Sequence, residues 1–259
     1  MRFRYLVATS LAMIAAHSGV QASQPIISSE PKPSSVVIVE LFTSEGCSSC
    51  PPADSLLGRV HLKETTAGQL IVGISEHVTY WNDLGWKDPY SAQVFTDRQS
   101  VYASRFSTEG PYTPQMVVDG REQFVGSDSG TLQRALADDA RQQHIDLRIL
   151  SSTPSGSALE VRFAVSGNFS KPLDIVAVLA DDADRSNVLR GENNGRLLQH
   201  VSVARSLKVV ATVRNSGDES VHLSFPDGVH NGAVEGHHLI LFAQEPHQGA
   251  IVGAATIPF

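Results

Sequence analysis

The sequence predicts two parts, an α/β domain over residues 36–144 and an all-β, sandwich-like domain over residues 145–259. Three observations carry that expectation. Up to about residue 145, continuous apolar runs alternate with segments whose apolar residues recur at helical spacing. Beyond it, short β-like runs are separated by Gly, Asp, Asn and Pro turns. The chain's only two cysteines, Cys47 and Cys50, stand between a strand-like run and a helix-like one.

In the first part, residues 36–42 are apolar except for Glu40, the pattern of a strand buried on both faces. After the cysteines, Ala53, Leu56, Leu57 and Val60 fall on one helical face, with Pro51 and Pro52 where a first turn tolerates proline. Residues 70–74 read as a second buried strand. Residues 90–106 read as a helix through Val94, Phe95, Val101, Tyr102 and Phe106. Residues 115–118, a tight turn at Asp119 and Gly120, and Phe124 with Val125 suggest a hairpin. Leu132, Leu136 and Ala140 mark a closing helix over residues 129–144. The second part offers about seven strands, over residues 145–150, 158–165, 173–179, 201–213, 220–225, 238–243 and 250–257. The polar stretch over residues 185–199, containing Gly191-Glu-Asn-Asn-Gly195, is either a long hairpin connection or a binding loop. Docked against the cysteines, this part would act as a substrate arm.

Ahead of both parts, Arg2 and Arg4 precede an apolar stretch over residues 5–16, and Val20-Gln-Ala22 has the small residues that a signal peptidase reads. Residues 1–22 are therefore expected to be an export signal and residues 23–35 a flexible, Ser- and Pro-rich lead-in. The stretch is too short to span a bilayer, so no stable membrane insertion is expected. The protein belongs by this reading in the periplasm or outside the cell. Cleavage removes two of 20 basic and none of 27 acidic residues, shifting the net charge from −7 to −9. Such a surface disfavours nucleic acid.

A cysteine pair three positions apart at a helix start is the minimum equipment for thiol–disulfide exchange. Cys47, in the position usually exposed in such a pair and with its thiolate favoured by the free N–H groups and positive end of the helix, is the expected nucleophile, and Cys50, on the buried side, the resolving residue. Ser48 and Ser49 can donate hydrogen bonds to a thiolate; Glu45 would raise the Cys47 pKa if it pointed that way.

The order strand, cysteine pair, helix, strand, helix, Thr113-Pro114, hairpin, helix resembles the thioredoxin fold. That resemblance implies a cis Pro114 packed beside the cysteines and shaping, with Thr113, a substrate groove. It also places Glu40 near the buried acid that relays a proton to the resolving cysteine; the competing expectation is an inward acid paired with Lys87, Arg98 or Arg105. More narrowly, residues 40–54, 80–89 and 112–120 resemble a bacterial family of secreted thioredoxin-like proteins catalogued as domain of unknown function 1223. The family name supplies no activity.

Tyr80, Trp81 and Trp86 form an aromatic insertion that reads either as a substrate-recognition lip or as a local core. The leading functional expectation is an exported thiol–disulfide oxidoreductase acting on protein thiols or disulfides and exchanging electrons with a partner protein. No flavin or nicotinamide fingerprint occurs, and no cofactor is expected. Two alternatives stay open. The cysteines and His77 could hold Cu or Zn, although a lone pair supplies half a tetrahedral site and His230, His237, His238 and His247 lie far along the chain. The other is a peptide-binding module without catalysis.

Overall fold

Strand β1 (Ser35–Thr43) pairs in parallel with β2 (Gln69–His77) and antiparallel with β3 (Gln115–Val118), beside which β4 (Glu122–Val125) closes a hairpin. Its side chains alternate between two buried faces. Val37, Val39 and Leu41 pack with Leu56 and Leu57 of α1 (Pro51–Val60) and with Leu132 and Leu136 of α3 (Ser129–Asp139). Ile38 turns the other way, toward Val72 and Ile74 of β2 and Phe95 of α2 (Gln93–Arg105). Helices on both faces explain why β1 reads as one apolar run.

The computed structural model describes residues 35–225 and 236–259, which fall in one compact unit. The proposed export signal, most of the lead-in and His230 lie outside those residues. Strands β5 (Asp146–Ser155), β6 (Ala158–Ser166) and β9 (Gly217–Ser224) form a three-stranded antiparallel sheet. The remaining strands, β7 (Leu173–Asn187), β8 (Leu197–Val213), β10 (His237–Gln244) and β11 (Ile251–Pro258), do not build a sheet of their own. They extend the first one, giving the order β11-β10-β7-β8-β2-β1-β3-β4.

This arrangement overturns the expected fold class. The described residues are 47% strand and 16% helix, in one large mixed sheet rather than an α/β thioredoxin-like domain followed by an all-β sandwich. The seam is a parallel bridge between Ser75 of β2 and Val203 of β8. A single apolar core runs across it, joining Val72 and Phe95 to Val176, Ile240 and Phe242. The small sheet packs through Leu159, Val161 and Phe163 on Ile175 and Leu241 of the large one. No helix among the described residues is long and apolar enough to cross a membrane.

Candidate functional site

At the end of β1 the chain turns sharply, with the Cys47 N–H donating to the Ser44 carbonyl and the Cys50 N–H to that of Cys47. Gly46 is required in this turn because a Cβ there would lie 2.9 Å from the Cβ of Trp81. Cys50 is the N-cap of α1 and the prolines take its first positions. The two cysteines are joined in a disulfide with a Cα separation of 5.5 Å. The Ser49 hydroxyl lies 3.4 Å from the Cys47 sulfur.

The Thr113–Pro114 peptide is cis. Gly126 is wedged among Leu41, Ala53 and Pro114, which brings that proline to the first turn of α1. Trp81 Nε1 donates to Thr113 Oγ1 at 2.8 Å, and Trp86 Nε1 donates to Glu45 Oε2 at 2.8 Å. The aromatic insertion thus ties the proline loop to the cysteine turn. Tyr80 reaches the same loop, its hydroxyl donating to Gln99 and meeting the Thr113 side chain.

Behind the turn lies a buried polar cluster. His200 of β8 sits with Nε2 3.3 Å from Glu45 Oε1 and Nδ1 3.8 Å from Asp54 Oδ1. Thr43 donates to that same Asp54 oxygen at 2.8 Å. His77 Nδ1 meets Asp88 Oδ2 at 2.7 Å, and Asp88 also accepts from the Glu45 N–H. The two imidazoles contact edge to face at 4.6 Å. Burial opposes a charge on His200, yet its bonds to Asp54 and Glu45 and their negative charge push its pKa up to about 10. Burial likewise works against the Asp88 carboxylate, but His77 and the N–H groups of Glu45 and Tyr90 hold its pKa below the usual range. Glu45 is therefore turned toward His200 and Trp86.

The turn is roofed from the second half of the chain. The outer ends of β7 and β8 project as an arm whose tip, residues 188–196, folds over the cysteines. Asn193, fully buried, donates through Nδ2 to the carbonyls of Glu45 (2.8 Å) and Cys47 (2.9 Å). Exposed Glu192 accepts from the Ser48 N–H at 3.0 Å. Under this roof both cysteines have no accessible surface, so Cys47 is not the exposed member of the pair that the sequence led us to expect; the arm covers it.

Glu40 is not in this site. It points to the α2 face, opposite α1, where it accepts from Arg98 Nε at 2.5 Å and from the Tyr102 hydroxyl at 2.7 Å. Glu76 lies near the same guanidinium at 3.8 Å. Burial, then the Glu40 charge, push the Glu76 pKa well up. His77 has both nitrogens engaged, by Asp88 and by Ser75 Oγ at 3.3 Å, and the sulfurs are bonded to each other. These atoms do not converge as a metal site. Sequence reasoning missed His200, Asp54, Asp88 and Asn193 as parts of the site. Asp54 and Asp88 fall within the family-like segments 40–54 and 80–89, and Asn193 in the Gly191-Glu-Asn-Asn-Gly195 stretch, whose turn-like composition suits a loop tip; His200 carried no signal.

A family model described as a protein of unknown function, DUF1223, matches residues 38–244. The chain belongs to the DUF1223 family. The match runs from β1 to the end of β10, so it takes in the cysteine turn, the aromatic insertion and the arm. Among solved structures, the crystal structure of protein AGR_C_4864 from Agrobacterium tumefaciens is similar, with a TM-score of 0.64 and 27% identity over 86% of this chain and 95% of that one. No protein of curated function matches the sequence significantly.

Proposed function

We propose that this DUF1223 member is an exported thiol–disulfide exchange protein in which Cys47 and Cys50 react once the arm lifts. The observation that carries the reading is the disulfide across the turn into α1, with a serine hydroxyl beside the Cys47 sulfur. A bridge spanning two intervening residues closes too short a loop to be worth much as a staple. An oxidising compartment, supplied by the export signal read in residues 1–22, keeps such a pair joined.

The exchange follows from the atoms present. A partner thiolate attacks the Cys47 sulfur, a new S–S bond forms to the partner, and the electron pair of the broken bond leaves on Cys50 as a thiolate. A second partner thiolate then attacks the partner's own sulfur and releases Cys47. The partner dithiol has lost two electrons and the cysteine pair has gained them; the reverse order reduces a partner disulfide. The Ser49 hydroxyl can donate to the Cys47 thiolate at each release.

The test is a redox titration of the mature protein in glutathione or dithiothreitol buffers, together with trapping by Cys50→Ser. The expected result is reversible two-electron behaviour and covalent capture of partner proteins in the export compartment, absent from Cys47→Ser. A pair that never reduces at physiological potentials, and a Cys50→Ser variant that traps nothing, would sink the proposal.

A further inference from the structure

At the other end of β1 from the cysteines, three elements bring together side chains that the redox reading does not use. Asp119 follows β3, Asp139 ends α3, and His144 lies in the segment leading to β5. One potential ligand atom from each falls within 4.8 Å of the others. Asp119 and Asp139 are buried, and His144 is 10% exposed.

Each residue has one side held and one side free. Asp119 Oδ1 accepts from the Ile38 N–H at 2.6 Å, and Asp139 Oδ2 accepts from Gln69 Nε2 at 3.0 Å. His144 Nε2 lies 3.1 Å from that same Asp139 oxygen. Asp119 Oδ2, Asp139 Oδ1 and His144 Nδ1 are buried with no donor in hydrogen-bonding geometry, and the Asp119 and Asp139 carboxyls meet each other, which after burial pushes the Asp119 pKa well up. Three such orphans in one place are unusual, because buried polar atoms are nearly always paired. The nearest cation, Arg121, stands 3.5 Å from Asp139 Oδ1 and its buried Nε makes no hydrogen bond either. Arg121 is 30% exposed and, with His144, lines a cavity of about 700 Å³, so it can swing aside.

We infer that Asp119, Asp139 and His144 form a binding site for a first-row divalent cation, Zn²⁺ foremost, for which Arg121 is the resident competitor. Two carboxylates and an imidazole suit Zn²⁺ or Mn²⁺ better than Mg²⁺ or Ca²⁺, which take oxygen ligands. The Ile38 N–H and the Gln69 amide fix the carboxylates in the way outer-shell donors orient metal ligands. Three protein ligands leave a coordination position for water on the side of the cavity that His144 lines, which is also the way in for the ion. Bound there, the cation would clamp the β3–β4 turn to the end of α3 and to the start of β5.

The test uses the mature protein with its disulfide intact, so that the cysteines cannot chelate. Zn²⁺ is titrated calorimetrically after treatment with a chelator, with Mg²⁺ as control. The expected result is one equivalent of Zn²⁺, a raised melting temperature, and no response to Mg²⁺. His144→Ala, at the rim of the cluster, should weaken binding at least about ten-fold. Arg121→Ala should tighten it several-fold, roughly, by removing a competing positive charge. Asp119→Asn should abolish it, and His144→Ala decides the matter if that variant does not fold. Absence of stoichiometric Zn²⁺, or binding that His144→Ala leaves unchanged, overturns the site, since the other histidines would then be responsible. Neither result bears on the cysteines.

Discussion

Replacing Asn193 with alanine removes the anchor of the arm while leaving the cysteine turn intact. The side chain donates two hydrogen bonds, at 2.8 and 2.9 Å, to carbonyls on either side of Gly46, and is fully buried. Each such bond contributes about 1 kcal/mol net, so the closed arm loses about 2 kcal/mol. Since about 1.4 kcal/mol is a factor of ten, the open population rises roughly 30-fold. Both cysteines are inaccessible under the closed arm, so reduction proceeds from the open state and its rate should rise by the same factor. The assay is reduction by a fixed excess of a phosphine, read as free thiol against time in low and moderate urea. Local opening leaves the rate insensitive to low urea, whereas global unfolding makes it climb steeply. A rate within two-fold of the parent, or a gain that merely tracks the fall in global stability, would refute the idea that Asn193 guards the disulfide.

The remaining expectations concern charge. His200 has a folded pKa of about 10 against an ordinary 6.5, so its contribution is fully present below pH 6.5 and is lost as pH rises toward 10. The unfolding free energy of the parent, from urea titrations, should therefore fall between pH 6.5 and 10 by an amount on the order of a few kcal/mol, while His200→Gln flattens that decline; equal slopes would remove His200 as the cause. On the α2 face, Glu40→Gln should cost about 3–5 kcal/mol, because it breaks a buried ion pair with Arg98. Glu76, whose raised pKa stabilises the fold at low pH and burdens it as pH rises, should tolerate Glu76→Gln at pH 8 with no loss of stability. A large loss for Glu76→Gln at that pH, by urea denaturation, would show that its charge is needed.

The local elements of the first half were legible because their signals are local. The apolar run at β1, the prolines opening α1 and the Asp119-Gly120 turn each specify their structure within a few residues. The sheet order was not legible, because pairing Ser75 with Val203 leaves no trace in periodicity. The outer half of β7 also disguises itself. The apolar pattern ends the strand at residue 179, yet Asp181, Asp182, Asp184 and Arg185 continue it, because an arm projecting past the core has no apolar face to show. The site was half legible for the same reasons. Cys47, Cys50, Thr113 and Pro114 stand in recognisable motifs, whereas His200 reaches Glu45 only through the long-range path of β8. Of the two expectations for Glu40 the pairing with Arg98 holds, because alternation along β1, rather than nearness in sequence to the cysteines, decides its face.

The seam between β2 and β8 also sets an order of events as the chain is made. Residues 62–65 double back on β2 and bond to its Gln69–Ile71 end, but until residue 203 arrives the edge beyond, at Ser75, has no neighbouring strand. Such an edge invites pairing with other chains. The nascent protein therefore spends the synthesis of more than a hundred residues with the Ser75 end of β2 open to a stray strand, and the late-arriving β8 closes it.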